Sequence, residues 1–314
     1  MNAARTAALL ALAAAAPLQA AKPAAPAVFT LKVAENGNPY LPIMVKQAAL
    51  NIRIGLSFDT VLILNEAPAA RAGLKPFPFI GKRTLRNALI PGGEATFRFN
   101  LATITPPGLP PKKVLALWVS RPIANDADGI MTVGALKADR VDVILRDTPP
   151  GSQTIILKKN GSGETGITTR LGDEEVDISL ELNSPTTVMN ARAGAALVAA
   201  GLARRSNAVG YWRPFPGTAL PWQQLEPRAG AALLGLPLRR IGSRVSESEA
   251  RRIDAAARGT STATDDEDTI TVSADRKRKR GRDPWILIGR DVLDDCSRII
   301  FDRAGKRWVL TCKF

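Results

Sequence analysis

Short stretches in which every second residue is apolar recur along this chain. In residues 29–33 the apolar side chains are Phe29, Leu31 and Val33, with Thr30 and Lys32 between them. Residues 52–56 put Ile52, Ile54 and Leu56 on one side, and residues 141–145 do the same with Val141, Val143 and Leu145. A period of two, bounded by turn residues, predicts half-buried β-strands. Helical periodicity is confined to short alanine-rich pieces, the clearest at 67–72 and 193–200. Asp147-Thr148-Pro149-Pro150-Gly151 interrupts the pattern near the middle and reads as a linker.

The pattern before that linker repeats after it. Ile54-Gly55-Leu56-Ser57-Phe58-Asp59-Thr60 leads to Leu64-Asn65 and an alanine-rich stretch closed by Gly73-Leu74. Ile178-Ser179-Leu180-Glu181-Leu182-Asn183-Ser184 leads to Met189-Asn190 and a similar stretch closed by Gly201-Leu202. Each describes a strand, a turn, an asparagine and a helix ended by glycine, which accepts positive φ without strain. Further on, Val119-Ser120 and residues 128–134 match Val272-Ser273 and residues 283–289 in the same order. The expected organisation is a lobe at 28–146, a linker at 147–152 and a second lobe at 153–314. The second lobe carries a low-complexity charged insertion at 243–283.

Composition narrows the chemistry. The 314 residues are 45% hydrophobic and carry a formal charge of +14, a globular balance with a strong basic excess. There is no histidine, which excludes Ser-His-Asp and Cys-His catalysis and imidazole-based zinc sites. Two cysteines cannot build an all-thiolate zinc site, so no cofactor and no metal are expected. Carboxylate, lysine or hydroxyl chemistry remains.

Residues 1–21 pair Arg5 with a short apolar run and small residues at Ala20 and Ala21, the pattern of an export signal peptide. No later segment holds about 18 uninterrupted apolar residues, so no transmembrane segment is expected. The expected location is periplasmic or secreted. Cys296 and Cys312 fit that compartment. A three-residue turn at Arg303-Ala304-Gly305 would set Asp302 opposite Lys306, and in that register Cys296 faces Cys312 across two strands, within disulfide reach.

Two charged runs stand out, Asp265-Asp266-Glu267-Asp268 and Arg276-Lys277-Arg278-Lys279-Arg280, on either side of an expected strand at 269–274. The basic run has the composition of a nucleic-acid patch. In an exported chain it reads instead as a solvated loop partly neutralised by its acidic neighbour, and no nucleic-acid partner is expected.

Trp285-Ile286-Leu287-Ile288-Gly289-Arg290-Asp291-Val292-Leu293, followed by Ile299-Ile300-Phe301-Asp302, resembles the C-terminal signature of pepsin-like aspartic peptidases. Asp128-Gly129-Ile130 is similar to the matching part of their first lobe, and the short loops resemble single-lobe retropepsins fused in tandem. The resemblance implies an all-β, two-lobed acid-protease fold with a few short helices and a cleft for extended polypeptide. It further implies a flap hairpin within residues 94–120. Asp59-Thr60 falls where the family carries its first Asp-Thr-Gly, and Asn183-Ser184 where it carries the second Asp-Thr/Ser-Gly.

That family's chemistry needs two carboxyls sharing one proton. Asn183 cannot titrate, Val61 stands in place of the first glycine, and Pro185 in place of the second has no N–H to give. The expected function is therefore a catalytically impaired peptidase-like protein that binds polypeptide. The alternatives are an active aspartic endopeptidase using Asp59, with or without a dimer that rebuilds the pair, and a charge-driven binder of anionic surfaces. The oligomeric state is left open by the sequence.

Overall fold

The computed structural model describes residues 27–34, 37–57, 61–86, 94–161, 163–258 and 283–314. The expected leader, Asp59 and Thr60, both charged runs and the expected strand at 269–274 lie outside the described residues.

The first half of the chain forms β1 (Val28–Lys32), β2 (Tyr40–Val45), β3 (Ala48–Gly55), β4 (Val61–Asn65) and helix α1 (Glu66–Arg71). These are followed by β5 (Lys82–Arg86), β6 (Glu94–Thr105), β7 (Lys112–Val119), β8 (Gly129–Thr132) and β9 (Arg140–Ile144). The second half opens with β10 (Gln153–Lys158), β11 (Ile167–Leu171), β12 (Glu174–Leu180), β13 (Thr187–Met189) and α2 (Ala191–Ala199). Next come β14 (Ala203–Trp212), β15 (Leu220–Pro227), the short ribbon β16 (Ala232–Leu233) and β17 (Leu236–Pro237), then β18 (Ile241–Arg244) and α3 (Glu247–Ala257). The chain ends with β19 (Trp285–Ile288), α4 (Arg290–Leu293), β20 (Cys296–Asp302) and β21 (Arg307–Cys312).

The molecule is mostly β, and its two halves build the same sheet. The first has seven strands in the order β2-β3-β8-β4-β7-β6-β5, the second seven in the order β11-β12-β19-β13-β18-β15-β14. Strand directions agree as well. β3 runs parallel to β8 as β12 does to β19, and β4 runs parallel to β7 as β13 does to β18. In the first sheet a β2–β6 pairing closes six of the strands into a barrel. Leu50, Ile52 and Ile54 of β3 and Val176, Ile178 and Leu180 of β12 are the alternate residues that face the core. Residues 94–120 form a hairpin, β6–β7, that lies within the first sheet.

A third sheet, β1-β9-β20-β21-β10, draws strands from both halves. Its centre is the β20–β21 hairpin, where the buried rings of Phe301 and Trp308 lie 4.9 Å apart. Trp308 Nε1–H donates to the Thr165 carbonyl at 3.0 Å and so ties this sheet to the second half. Asp142 of β9 is buried and paired with Arg140 and with Arg298 of β20. Burial alone would raise the Asp142 carboxyl, but its hydrogen bonds to Arg140 and Arg298 hold it below its ordinary value.

The Cys296–Cys312 disulfide forms, by a different route from the one the turn suggested. Asp302 pairs with Arg307, not Lys306, and Lys306 is the left-handed residue of the turn at φ 48°. That shifts the ladder by one residue as far as Arg298 opposite Thr311. An irregularity at Ser297 then restores Cys296 to Cys312. The bulged Ser297 carbonyl accepts from both Leu145 and Arg146 N–H, so the extra residue is used to hold β9.

The region expected as an insertion from residue 243 begins instead with regular structure. Ser246 caps α3, its Oγ accepting from Glu249 N–H at 3.1 Å. In the second sheet the place of β7 is filled by β18, ending at Arg244, and not by a strand at 272–273.

Replacing both Cys296 and Cys312 by serine should cost about 3 kcal/mol, the loop-closure value for a span near that of the 16-residue separation. Urea unfolding of the variant beside the parent measures the loss directly.

Candidate functional site

The hydrogen-bonded ladders align the two sheets strand by strand. Gly129 of β8 faces Ile52 on one side and Leu64 on the other. Ile286 of β19 faces Ile178 and Met189 in the same way. Leu64 and Met189 each precede the asparagine at a helix start, Asn65 and Asn190. These equivalences place Gly55 with Glu181, Ser57 with Asn183, and Thr132, rather than Gly134, with Gly289.

The equivalent residues meet each other. Glu181 follows directly on β12 and is 3% exposed, and Ser57 just beyond β3 is 2% exposed. Glu181 Oε2 accepts from Ser57 Oγ–H at 2.5 Å and from Ser57 N–H at 3.3 Å. Oε1 accepts from Asn183 N–H at 2.8 Å and from Asn183 Nδ2–H at 2.7 Å. One carboxyl group thus collects four donors, two from each half of the molecule. Gly55 makes room for it, since a Cβ there would stand 3.0 Å from Oε2 and 3.4 Å from Asn183 Nδ2. Burial pushes the Glu181 carboxyl above its ordinary value, against the pull of its hydrogen bonds to Ser57 and Asn183. Asn183 Oδ1 is buried and has no hydrogen-bond partner among the described residues.

The loop after Glu181 is held from behind by the start of α4. Ser184 is buried, its Oγ–H donating to the Thr186 carbonyl at 2.7 Å, while its own carbonyl accepts from Arg290 N–H at 2.8 Å. Arg290 Nε–H donates to the Leu182 carbonyl at 2.7 Å. Thr187 Oγ1 accepts from Gly289 N–H and donates to Asp291 Oδ1 at 2.9 Å. A side chain at Gly289 would sit 2.5 Å from the Thr186 carbonyl carbon, so only glycine lets loop and helix pass.

Of the residues singled out in the sequence, Asn183 and Ser184 lie in this junction, whereas Asp59 and Thr60 are outside the described residues. Glu181, Ser57 and Gly55 are the additions. Their signal was present in the chain, because Gly55 and Glu181 both stand eight residues past the centre of a hairpin turn, at Gln47 and Asp173. Ser184 does not reach the carboxyl through its side chain. Among the described residues no second carboxyl shares the site with Glu181, and no group of three or more metal-ligating side chains occurs.

Two further features draw residues from both halves. The segment between β14 and β15 carries Phe215 onto a first-half cluster of Val119, Ile123, Ala124 and Ile130. A cavity of about 640 Å³, lined in part by Lys32, Arg146, Asp147, Arg290 and Asp294, opens beside the end of β9. No family profile and no curated protein matches the chain.

Because the folded value of Glu181 is raised, the fold prefers its protonated form. The stability it contributes is fully present below its ordinary value of about 4.5 and is lost as pH rises through the folded value. A Glu181→Gln variant lacks this titration. The stability of the parent relative to the variant should therefore fall as pH rises above about 4.5, read as denaturation midpoints across the range.

Proposed function

We propose that this chain is an exported, pepsin-like two-lobed protein that binds extended polypeptide between its lobes and does not cleave it efficiently. The observation that carries the reading is the junction of the two like sheets, where one buried carboxyl, Glu181, faces Gly55 at the equivalent position. A proton-sharing pair needs two carboxyls, one serving as acid while the other serves as base. Glu181 accepts four hydrogen bonds and is almost wholly removed from solvent, so it is committed to holding the halves together. Losing one general acid or base alone lowers a rate by roughly 10² to 10⁴.

Binding does not need the pair. An extended peptide is recognised by backbone hydrogen bonds and by pockets for alternate side chains. The crossing of Phe215 onto the first-half cluster supports a binding region bounded by both sheets. The disulfide and the lack, among the described residues, of any helix able to cross a membrane accord with an extracellular or periplasmic setting.

The test is incubation of the protein with a mixed peptide library from acidic to neutral pH, beside Asp59→Asn and Glu181→Gln. Products are read by mass spectrometry and retained peptides by affinity capture. The expected outcome is retention of extended peptides without new termini. Cleavage by the parent that is lost in Asp59→Asn would overturn the reading in favour of an active endopeptidase, and the oligomeric state of the cleaving species would then show whether a dimer supplies the second carboxyl.

A further inference from the structure

Between Glu66 and Glu94 the chain has no acidic residue, while Arg71, Lys75, Lys82, Arg83 and Arg86 supply five positive charges. At the centre of this stretch, Lys75-Pro76-Phe77-Pro78-Phe79-Ile80-Gly81-Lys82-Arg83 connects the end of α1 to β5. Phe79 is 106% exposed and Ile80 63% exposed. Among the described residues, essentially none covers the Phe79 side chain.

The turn that presents these two side chains is firmly built. Phe77 N–H donates to the Phe99 carbonyl at 3.1 Å, and Phe99 N–H returns a bond to the Gly81 carbonyl at 2.9 Å. Gly81 N–H closes the turn onto the Phe77 carbonyl at 3.0 Å. The Phe77 ring meets Phe99 edge-on at 6.0 Å and anchors the base to β6. A Cβ at Gly81 would lie 2.1 Å from Phe77 N, so glycine is required for this closure. At the apex Phe79 sits at φ 64°, a left-handed conformation that is a true outlier for a bulky residue. Strain of this kind persists where the surroundings impose it and gathers at functional positions. The hydrogen bonds at the base of the turn hold this conformation, and among the described residues none covers the Phe79 side chain.

We propose that this turn is a membrane-contact loop, with Phe79 and Ile80 entering the interfacial layer of a bilayer and Lys75, Lys82 and Arg83 facing anionic headgroups. The three cations are exposed and flank the apolar apex from both sides. An anionic bilayer supplies the two matching environments in the matching order, apolar beneath and negative above. Two inserted side chains give reversible attachment that depends on the cations, and so on salt. The inference goes beyond the peptide-binding reading and does not depend on it.

The purified protein would be sedimented with vesicles of phosphatidylcholine alone and of phosphatidylcholine with phosphatidylglycerol, at low and high salt. Binding is expected to the phosphatidylglycerol vesicles, to be weak on phosphatidylcholine, and to fall with salt. Phe79→Ser with Ile80→Ser should weaken it on the order of tenfold or more, as the loss of two buried apolar side chains requires. A Phe79→Trp variant, read against the five native tryptophans of the parent, should gain blue-shifted fluorescence and quenching by brominated lipid. That second readout decides the matter even if the serine variant folds poorly. Absence of vesicle binding, or no added quenching at position 79, would overturn the proposal. So would equal binding by a folded serine variant, which would assign attachment to charge elsewhere. Self-association of the parent that the serine substitutions abolish, without vesicle binding, would make the turn a contact between copies instead.

Discussion

The arrangement at the centre of this molecule rests on one buried carboxyl. Taking Glu181 out of water is costly, and the four donors that converge on it offset part of that cost. Two of those donors come from Ser57 in the other half of the chain, so the carboxyl's hydrogen bonds join the two halves. The contact is also asymmetric by necessity. A long acid on one side requires glycine on the other, since the space at Gly55 is what the Glu181 side chain fills. Two equivalent positions of the like sheets therefore carry residues of opposite size, and the packing at the junction requires it.

Around that contact the architecture is redundant. Each half presents the same seven-strand order, and the third sheet binds them through β9 and the β20–β21 hairpin. The glycines that matter are those at crossings: Gly289 admits the loop from Ser184 to Thr187, and Gly55 admits the carboxyl. Both are places where a backbone is approached closely, the usual reason for glycine within a β framework.

Much of this was legible in the sequence. The period-two stretches at 29–33, 52–56 and 141–145 are β1, β3 and β9 to within a few residues, and both alanine-rich pieces are helices ended by Gly73 and Gly201 at positive φ. The cysteine pair was readable from its place across a hairpin, although the turn has one more residue than expected and a bulge at Ser297 makes up the difference. What sequence matching alone did not supply was register. Aligning Gly134 with Gly289 is natural by identity, yet the ladders align Thr132 there, and the shift moves attention from Asn183 to Glu181. A glutamate opposed by glycine has no resemblance between its two members, so only their equal spacing from the preceding turns joins them. Helix α3 was hidden by the charged run that follows it, even though Ser246 and Glu249 stand at capping-box spacing.

The make-up of the third sheet bears on how the chain reaches its native state. β1, at residues 28–32, lies beside β9, which lies beside β20, and β21 ends at residue 312. The sheet therefore cannot be completed until β21 has emerged, and its longest pairing, Arg140 with Asp302, joins residues 162 positions apart. Contacts of such separation are made late and slowly, because loop closure must precede any gain from pairing. Until the final hairpin arrives, β9 lacks one of its neighbours and β10 lacks its only one, and bare strand edges are prone to pair with other molecules. A chain built this way has a long aggregation-sensitive interval, and the last two strands act as the closing step that ends it.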